Sequence, residues 1–171
     1  MNRPLLVVYC GLPGVGKSTA SGYTAEQLDA TRYRTDEVRQ SLFENPTYTP
    51  EEMQQTYDEL FSRVRSELES GTDVVIDATF NQASRRERAR SVADDAGASI
   101  LFVRVTCPES VVIDRIKRRT DDPSDADVSV YREHRDAFEP IECDHICIDN
   151  GGTIEETHRQ VDANVLSKFE D

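Results

Sequence analysis

The chain has 171 residues, enough for one domain with a substantial core, and its length does not require a second domain. Hydrophobic residues make up 37% and charged residues 31%, and no apolar run approaches the roughly 20 residues that cross a bilayer, so we expect no membrane association. The formal net charge of −13, from 33 acidic and 20 basic residues, repels nucleic acid, so DNA or RNA binding would require a local basic patch.

Strands and helices alternate along the chain. The strands are strongly apolar, as in parallel strands covered on both faces, whereas the helices carry apolar residues on one side. This alternation predicts an α/β fold in three layers, with a parallel five-stranded sheet between helices and right-handed crossovers. The predicted strands span residues 5–10, 32–34, 73–77, 100–105 and 145–149, and the predicted helices span residues 18–30, 36–43, 50–70, 84–97, 109–120, 128–138 and 153 onward.

The loop after the first strand carries the clearest motif. It matches the pattern G-x-x-x-x-G-K-[ST] in full, through Gly11, Leu12, Pro13, Gly14, Val15, Gly16, Lys17 and Ser18. In such a loop the backbone N–H groups converge on phosphate oxygens, and the positive end of the following helix points to the same place. We expect Lys17 to reach the β- and γ-phosphates, the Ser18 hydroxyl to bind Mg²⁺, and Thr19 to complete the ATP site. The alternative, a chance glycine turn, is disfavoured by the flanking strand and helix.

The first turn of the helix predicted after the second strand carries two charged residues that could bind the molecule that accepts the phosphate. Asp36 and Arg39 are three positions apart and therefore share a face of the helix. A carboxylate there can orient the proton of an acceptor hydroxyl, while Arg39 can hold an anionic part of the acceptor. The alternative is that Asp36 caps the helix and forms an ordinary salt bridge.

A basic helix followed by a polar loop predicts a lid over residues 115–138. Arg115 and Arg119 lie one turn apart and can face the same way, and the loop at residues 121–127 breaks the helix. A lid of this kind closes over the triphosphate and brings arginine to the charge that develops during transfer. A solvated basic helix is the alternative.

Together these segments resemble a known family. The order GLPGVGKST, TDEVRQSL, VVIDATFNQASRR and DDPSDAD is similar to that of the small P-loop kinases, an AAA-type group. The group includes the 5′-hydroxyl polynucleotide kinase domain, zeta-toxin-like kinases and chloramphenicol phosphotransferase. The resemblance covers residues 5–165 and implies a P-loop nucleoside triphosphate hydrolase fold, forming a single kinase domain over residues 1–171 with a helical lid.

The resemblance also implies roles for individual residues. Asp36 corresponds to the acidic residue that contacts the acceptor hydroxyl, and Arg39 to an arginine that grips a substrate phosphate. Arg115 and Arg119 correspond to the lid arginines. Asp77, at the end of an apolar strand, corresponds to a carboxylate that contacts Mg²⁺ directly or indirectly. Thr79, Asn81 and Arg85 are expected in the acceptor pocket. Residues 150–152 form either a segment near adenine or an ordinary turn.

These features predict an ATP- and Mg²⁺-dependent kinase that phosphorylates a hydroxyl of a small molecule or nucleoside. The sequence has no N-K-x-D signature for guanine, which favours ATP over GTP. One alternative is a polynucleotide 5′-hydroxyl kinase, supported by Asp36, Arg39 and the arginine-rich residues 85–90 but opposed by the net charge and the lack of an aromatic and basic stripe. Another is an ATP hydrolase that acts as a switch, which needs neither an acceptor nor Asp36. The sequence does not predict the oligomeric state.

One cluster of residues suggests a metal site. Cys143, His145 and Cys147 alternate like metal ligands, but they lack a fourth ligand and zinc-site spacing, so we expect buried strand residues there.

The charge and lysine content indicate the environment of the protein. The only lysines are Lys17, Lys117 and Lys168, and an acidic, lysine-poor surface is typical of a salt-rich cytosol. We therefore expect a cytoplasmic, halophilic protein; an acidic protein of an ordinary cytosol is the alternative.

Overall fold

A computed structural model describes residues 3–119 and 125–169, without the side chains of residues 119 and 125–127. None of the described helices is long and apolar enough to cross a membrane. The described strands are β1 (Leu5–Cys10), β2 (Thr31–Arg34), β3 (Val74–Asp77), β4 (Ser99–Thr106) and β5 (Ile146–Asp149). The described helices are α1 (Lys17–Leu28), α2 (Thr35–Leu42), α3 (Pro50–Glu69), α4 (Ala83–Asp95), α5 (Glu109–Arg119), α6 (Asp125–Ala137) and α7 (Ile154–Asn164), followed by a 3₁₀ turn at Leu166–Phe169.

The five strands form one parallel sheet in the order β2-β3-β1-β4-β5. The central strand is β1, in which Tyr9 lies opposite Asp77 of β3 on one side and opposite Val103 of β4 on the other. Helices pack on both faces of this sheet. The architecture confirms the predicted three-layer α/β fold with a parallel five-stranded sheet.

Two hydrophobic cores form because successive side chains of a strand point to opposite faces of the sheet. From β1, Leu6 and Val8 enter one core with residues of α3 and α4, while Leu5 and Val7 enter the other with residues of α1 and α7. Every residue of β1 is buried, which explains why its sequence is continuously apolar. Burying an aliphatic side chain of this size stabilises the fold by about 1.5–3 kcal/mol, so β1 is a main anchor of the loop that follows it.

The sequence predicts capping boxes at Thr49 with Glu52 and at Thr153 with Glu156, and a helix end at Gly71, and the structure confirms these signals with one correction. The capping box predicted at Thr153 forms at the start of α7, and α3 ends before Gly71, whose φ is +88°. At the start of α3, the Thr49 hydroxyl accepts a hydrogen bond from the N–H of Glu52 as predicted. The Glu52 carboxylate, however, accepts from the N–H of Thr47 at 2.7 Å, so it holds the preceding loop and does not complete a capping box.

The carboxyl ends of β1, β3 and β4 meet at one edge of the sheet. The order of strands reverses at β1, since β3 lies on one side of it and β4 on the other. Open parallel sheets bind ligands at such a switch point. The glycine-rich loop leaves β1 at this edge, and residues 78–82 leave β3 beside it, so the fold places the two predicted halves of the site next to each other.

Candidate active site

The glycine-rich loop curls between β1 and α1 in a conformation that depends on its glycines. Gly14 and Gly16 both have φ of +83°, in the left-handed region that favours glycine. Gly16 is also the N-cap residue of α1, so the positive end of that helix faces the loop. Lys17 folds back across the loop, and its Nζ donates to the carbonyl oxygen of Leu12 at 3.1 Å. Backbone donors, a helix terminus and an ammonium group therefore converge at one point, as phosphate binding requires.

A cleft of about 420 Å³ opens from this loop. One wall is the phosphate loop, and the others come from α2, α3, α6 and the segment after β3. The cleft brings together the following residues expected from the sequence: Gly14, Gly16, Lys17 and Ser18 of the loop, and Asp36, Arg39, Asp77, Thr79, Asn81 and Arg85 of the opposite side. The fold thus joins the phosphate loop to residues of α2, β3 and α4 that are distant from it in the chain.

Asp36 and Arg39 form an ion pair on the acceptor side of the cleft. The Nη1 of Arg39 lies 2.9 Å from Oδ1 of Asp36, and the Asp36 side chain is 70% exposed whereas that of Arg39 is 7% exposed. Helix α2 begins at Thr35, with Arg34 at the N-cap position. The interpretation of Asp36 as the N-cap residue is therefore wrong, because it lies inside the first turn. Its exposed carboxylate is available to a ligand in the cleft.

The surroundings of Arg39 leave its guanidinium incompletely hydrogen-bonded. Its Nη2 donates to the sulfur of Met53 at 3.5 Å, a weak acceptor, and the ring of Tyr48 lies 4.8 Å from its Cζ. Its buried Nε has no hydrogen-bond partner among the residues that the structure describes. Tyr48 and Met53 were not predicted as site residues. Met53 belongs to the apolar stripe of α3, whose periodicity resembles that of a core helix and gives no sign of a cleft.

Asp77 ends β3 inside the cleft and is 6% exposed. The Ser21 hydroxyl donates to its Oδ2 at 2.6 Å, and Arg32 in turn donates to Ser21 at 3.3 Å. These bonds fix the orientation of the carboxylate, and Ser18 of the phosphate loop lines the same cleft. A hydroxyl and a carboxylate are oxygen ligands of the kind that Mg²⁺ prefers when phosphates and water supply the rest of its coordination. Ser18 and Asp77 therefore fit a magnesium ion bound together with a nucleotide.

The segment after β3 turns sharply to present two polar residues to the cleft. Phe80 has φ of +47°, a conformation uncommon for a bulky residue, and its fully buried ring packs against that of Tyr57 at 5.7 Å. With Phe80 anchored in the core, its neighbours Thr79 and Asn81 line the cleft. The carbonyl oxygen of Thr79 accepts from the N–H of Gly11 at 3.2 Å, which joins this segment to the phosphate loop.

The arginine-rich helix α4 contributes Arg85 to the cleft, with its guanidinium 4.3 Å from the ring of Tyr57. The neighbouring arginines have other partners. Arg86 is buried and donates to the carbonyl oxygen of Glu139 at 2.7 Å, Arg88 pairs with Asp58 at 2.6 Å, and Arg90 stacks on Phe102. Arg86, Arg88 and Arg90 are thus each engaged with a neighbouring group of the protein.

Of the two arginines predicted for the lid, the structure describes the side chain of Arg115 but not that of Arg119. Arg115 of α5 donates to the carbonyl oxygen of Asn150 at 2.7 Å and contacts the Cys107 sulfur at 3.5 Å, beside the phosphate loop. The side chain of Arg119 and the loop at residues 121–124 lie outside the described residues. Their assigned roles stay predictions.

A residue that the sequence interpretation missed, His134, lines the cleft from α6. Burial lowers its pKa, as does the positive charge of Lys17, while Glu133 opposes this shift. Its position has a sequence signal, because Tyr131 precedes it by three residues and is buried, so both lie on the inward face of α6. Burial also lowers the pKa of Lys17, against the opposing effect of Asp77 and then Asp36.

The charge of the cleft is opposite to that of the chain. Four cationic and two anionic side chains line it, namely Lys17, Arg34, Arg39 and Arg85 against Asp36 and Asp77. The chain as a whole carries −13. A local excess of positive charge in an acidic protein concentrates anions at this one place. This is the electrostatic pattern expected for a triphosphate site.

The expectation for the cysteine cluster is wrong in its structural part. β5 begins at Ile146, so Cys143 and His145 lie in the preceding loop, where His145 Nδ1 is 2.8 Å from the carbonyl oxygen of Cys143. Cys147 is in the strand but exposed. The strand is at the sheet edge, where alternate residues face outward. Among the described residues, no group of three or more His, Cys, Asp or Glu side chains is placed to hold a metal ion.

Comparison with known families and curated proteins finds similarity in sequence to both. Residues 6–141 match the family model described as an AAA domain, AAA_33. The uncharacterized protein Rv2004c of Mycobacterium tuberculosis is 30% identical over 137 residues, which is 73% of this chain and 28% of that protein. The chain thus spans little more than a quarter of the length of the curated relative. The family match confirms the resemblance to AAA-type P-loop proteins.

Solved structures share the fold over almost the whole chain. A gluconokinase from Sinorhizobium meliloti 1021 is similar with a TM-score of 0.74 at 20% identity, covering 98% of this chain and 95% of that one. The APS kinase CysC of Mycobacterium tuberculosis, in complex with AMPPNP and APS, is similar with a TM-score of 0.71 at 19% identity, covering 95% and 98%. At this level of identity the likeness shows the fold.

Proposed function

The chain belongs to the AAA_33 family of AAA domains, and from this premise we propose that it is an ATP-dependent kinase, which transfers the γ-phosphate to a hydroxyl of a small-molecule or nucleoside acceptor. One observation carries the proposal. The phosphate loop and the exposed carboxylate of Asp36 line the same cleft. A triphosphate in the loop would therefore face a group able to orient a hydroxyl.

Each charged group has a part in this reaction. The loop N–H groups and Lys17 hold the phosphates, and Ser18 and Asp77 would hold Mg²⁺, which neutralises charge on the phosphates when bound. Asp36 orients the acceptor hydroxyl and accepts its proton. The helices α5 and α6 serve as a lid over residues 115–138, with Arg115 and Arg119 as its arginines, and exclude water that would otherwise hydrolyse ATP. Catalysis then rests on positioning and electrostatics.

A small acceptor fits the site better than a polynucleotide. The cleft measures about 420 Å³, the size of a pocket for a small ligand. The arginines of α4 beyond Arg85 are engaged in the fold, and the chain carries −13. Two proteins with the same fold are named as kinases, the gluconokinase and the APS kinase. Both kinds of support favour the small-molecule reading.

The test incubates the protein with γ-labelled ATP and Mg²⁺ and a panel of sugars, sugar acids, nucleosides, amino acids and 5′-hydroxyl oligonucleotides. We expect label on one class of small molecule. Label on the oligonucleotides would replace the small acceptor with a polynucleotide. If labelled phosphate is released at the same rate with every compound of the panel, the protein is an ATP hydrolase and the kinase proposal is wrong.

Two variants connect the activity to the cleft. Lys17→Ala should abolish transfer and weaken ATP binding, because it removes the cation on the β- and γ-phosphates. Asp36→Asn should lower the transfer rate by about 10²–10⁴-fold, the range for loss of a general base, and leave ATP affinity unchanged. Full transfer by the Asp36→Asn variant would show that this carboxylate has no part in the reaction.

A further inference from the structure

Asn150 lies outside the phosphate-binding motif and is not among the residues that line the cleft, but its side chain touches the loop. It follows β5, is 6% exposed, and its Nδ2 donates to the carbonyl oxygen of Val15 at 2.8 Å and contacts that of Gly16 at 3.4 Å. The two partners are 135 and 134 positions away in the chain. A buried side-chain amide is thus aimed at the backbone of the phosphate loop.

Those two carbonyl groups determine where the loop donors point. In a trans peptide the C=O of one residue and the N–H of the next point in opposite directions. The carbonyl of Val15 shares its peptide with the N–H of Gly16, and the carbonyl of Gly16 shares its peptide with the N–H of Lys17. When Asn150 draws both carbonyls toward itself, the N–H groups of Gly16 and Lys17 are directed away from it, into the phosphate site.

The orientation of the Asn150 amide is itself fixed. The hydroxyl of the fully buried Thr157, in α7, donates to its Oδ1. The carbonyls of Val15 and Gly16 only accept hydrogen bonds, so the amide nitrogen must face them and the amide oxygen must face Thr157. With its nitrogen on the loop and its oxygen on Thr157, the side chain is committed to the protein and is not turned toward a ligand base.

The backbone of Asn150 connects the same point to two more elements. Its N–H donates to the carbonyl oxygen of Thr106 at the end of β4, at 2.8 Å, and its own carbonyl accepts from Arg115 of α5 at 2.7 Å. Gly16 leaves no room for a side chain here, because an added Cβ would clash with the Asn150 amide. Asn150 therefore links β4, α5 and α7 to the loop at its most crowded position.

We propose that Asn150 is a positioning residue for the phosphate site: by holding the carbonyls of Val15 and Gly16, it orients the N–H groups of Gly16 and Lys17 toward the phosphates of a bound nucleotide. The inference rests on the nucleotide binding in the proposed function and not on transfer to an acceptor. It gives residue 150 a role toward the phosphates, in place of a contact with adenine.

The test compares the affinities of ATP and inorganic triphosphate for four proteins by isothermal titration calorimetry. Asn150→Asp keeps the size and the acceptor for Thr157 but places an oxygen against two carbonyl oxygens. We expect it to weaken binding of both ligands by the same factor, about tenfold or more, because the buried hydrogen bond to the Val15 carbonyl is lost, whereas the Gly16 carbonyl keeps its bond from the N–H of Thr19. Thr157→Val, which frees the amide orientation, should weaken both ligands by a smaller and equal factor.

The control variant is Gln160→Ala. Gln160 bonds the N–H and the carbonyl of Asp149 at 2.9 and 2.8 Å, at the same junction of β5 and α7, without touching the loop. Its loss should leave both affinities unchanged. Inorganic triphosphate has no base, so it separates the two roles of residue 150.

Three outcomes would overturn the inference. ATP weakened with triphosphate unchanged would indicate a contact with the base. A lower melting temperature in Asn150→Asp and Thr157→Val with both affinities intact would indicate a role in stability alone. Wild-type protein that binds neither ligand would remove its premise. Wild-type protein that binds both ligands but phosphorylates no acceptor would instead refute the kinase while leaving the role of Asn150 supported.

Discussion

Arg39 is a buried cation whose only charged partner in the described structure, Asp36, is itself mostly exposed. Burying such a group costs free energy, and because the Asp36 side chain is 70% exposed, replacing Arg39 alone leaves no buried charge without a partner. We therefore expect Arg39→Met, beside Met53, to leave the free energy of unfolding unchanged or raise it. The same change should raise KM for the acceptor about tenfold or more, since it removes a charge-assisted contact.

Urea unfolding and steady-state kinetics measure the two effects on the same preparation. Arg63→Met is a matched control, since Arg63 pairs with Glu59 on α3 and does not line the cleft. It should alter neither KM nor the urea midpoint appreciably. Marked destabilisation of Arg39→Met with normal KM would mean that Arg39 is retained for the fold and not for the acceptor.

His134 should couple nucleotide binding to pH. Its pKa lies below the usual value of about 6.5, so it is neutral at pH 7 in the free protein, and the charges that face it are Lys17 and Glu133. Because the unfolded chain takes up the proton first, this residue lowers stability only as the pH falls below about 6.5. A bound triphosphate would favour the protonated form, so ATP affinity should gain at pH 6 relative to pH 8.

The measurement is the ratio of ATP dissociation constants between His134→Gln and the wild type. Because ATP titrates in the same way in both measurements, its own protonation cancels in this ratio. We expect the ratio to rise several-fold between about pH 8 and about pH 6. A ratio that does not change over this interval would show that His134 does not sense the phosphates.

At the level of single residues, the sequence predicts those positions whose chemistry is local. Lys17 and Ser18 follow from a motif whose backbone geometry needs particular residues, and Asp36 follows from its spacing to Arg39. His134 could not be assigned, because which face of a lid helix meets the cleft depends on how α6 packs on the sheet. For Asn150 the sequence offered only a segment near adenine or an ordinary turn, since its partners in the phosphate loop are more than a hundred residues away.

At the level of elements, two glycines with nearly the same φ make different demands. Gly16 is the N-cap residue of α1 and has φ of +83°, and Gly71 follows α3 and has φ of +88°. A Cβ at Gly71 meets nothing within 4 Å, whereas one at Gly16 clashes with Asn150. We expect Gly71→Ala to cost about 1 kcal/mol from left-handed strain alone. Gly16→Ala should cost more and abolish nucleotide binding.

Chemical unfolding gives the two free energies, and titration with ATP gives the affinities. Normal ATP affinity in Gly71→Ala separates general destabilisation from damage to the loop. Equal losses of stability in the two variants, with ATP affinity preserved in both, would contradict the crowding seen at Gly16.

Element types were easier to predict than their ends. The apolar strands and one-sided helices follow from burial on two faces or one, which the sequence records directly. The start of α3 shows why ends are harder: Glu52 has the spacing of a capping box but uses its carboxylate on the N–H of Thr47. The start of β5 was misplaced because alternating residues at 143–147 look alike whether they enter an edge strand or the loop before it.

For the whole molecule, net charge and local charge lead to opposite expectations. The chain carries −13, yet the residues that line the cleft include two more cations than anions. The sequence alone could not locate the whole of this excess, because its four cations come from three separate segments, around residues 17, 34–39 and 85, that the sheet topology brings together. A protein built in this way repels polyanions over most of its surface and attracts a compact anion at one site.

Salt should therefore act in opposite directions on folding and on binding. Raising KCl from about 0.1 M to about 2 M shortens the screening length from about 10 Å to below about 3 Å, which relieves repulsion among the surface carboxylates. We expect the urea midpoint to rise, as for a halophilic protein, while affinity for ATP falls because the attraction of the cleft is screened as well.

The control is a variant with three surface acids neutralised, Glu44→Gln with Glu51→Gln and Glu155→Gln. A salt effect on hydrophobic burial would raise the urea midpoint of this variant as much as that of the wild type, whereas an effect of charge screening would be smaller in the variant. If molar KCl does not stabilise the wild type, the halophilic interpretation is wrong and the chain is an acidic protein of an ordinary cytosol. If the ATP affinity does not change with salt, the cationic lining of the cleft does not attract the nucleotide.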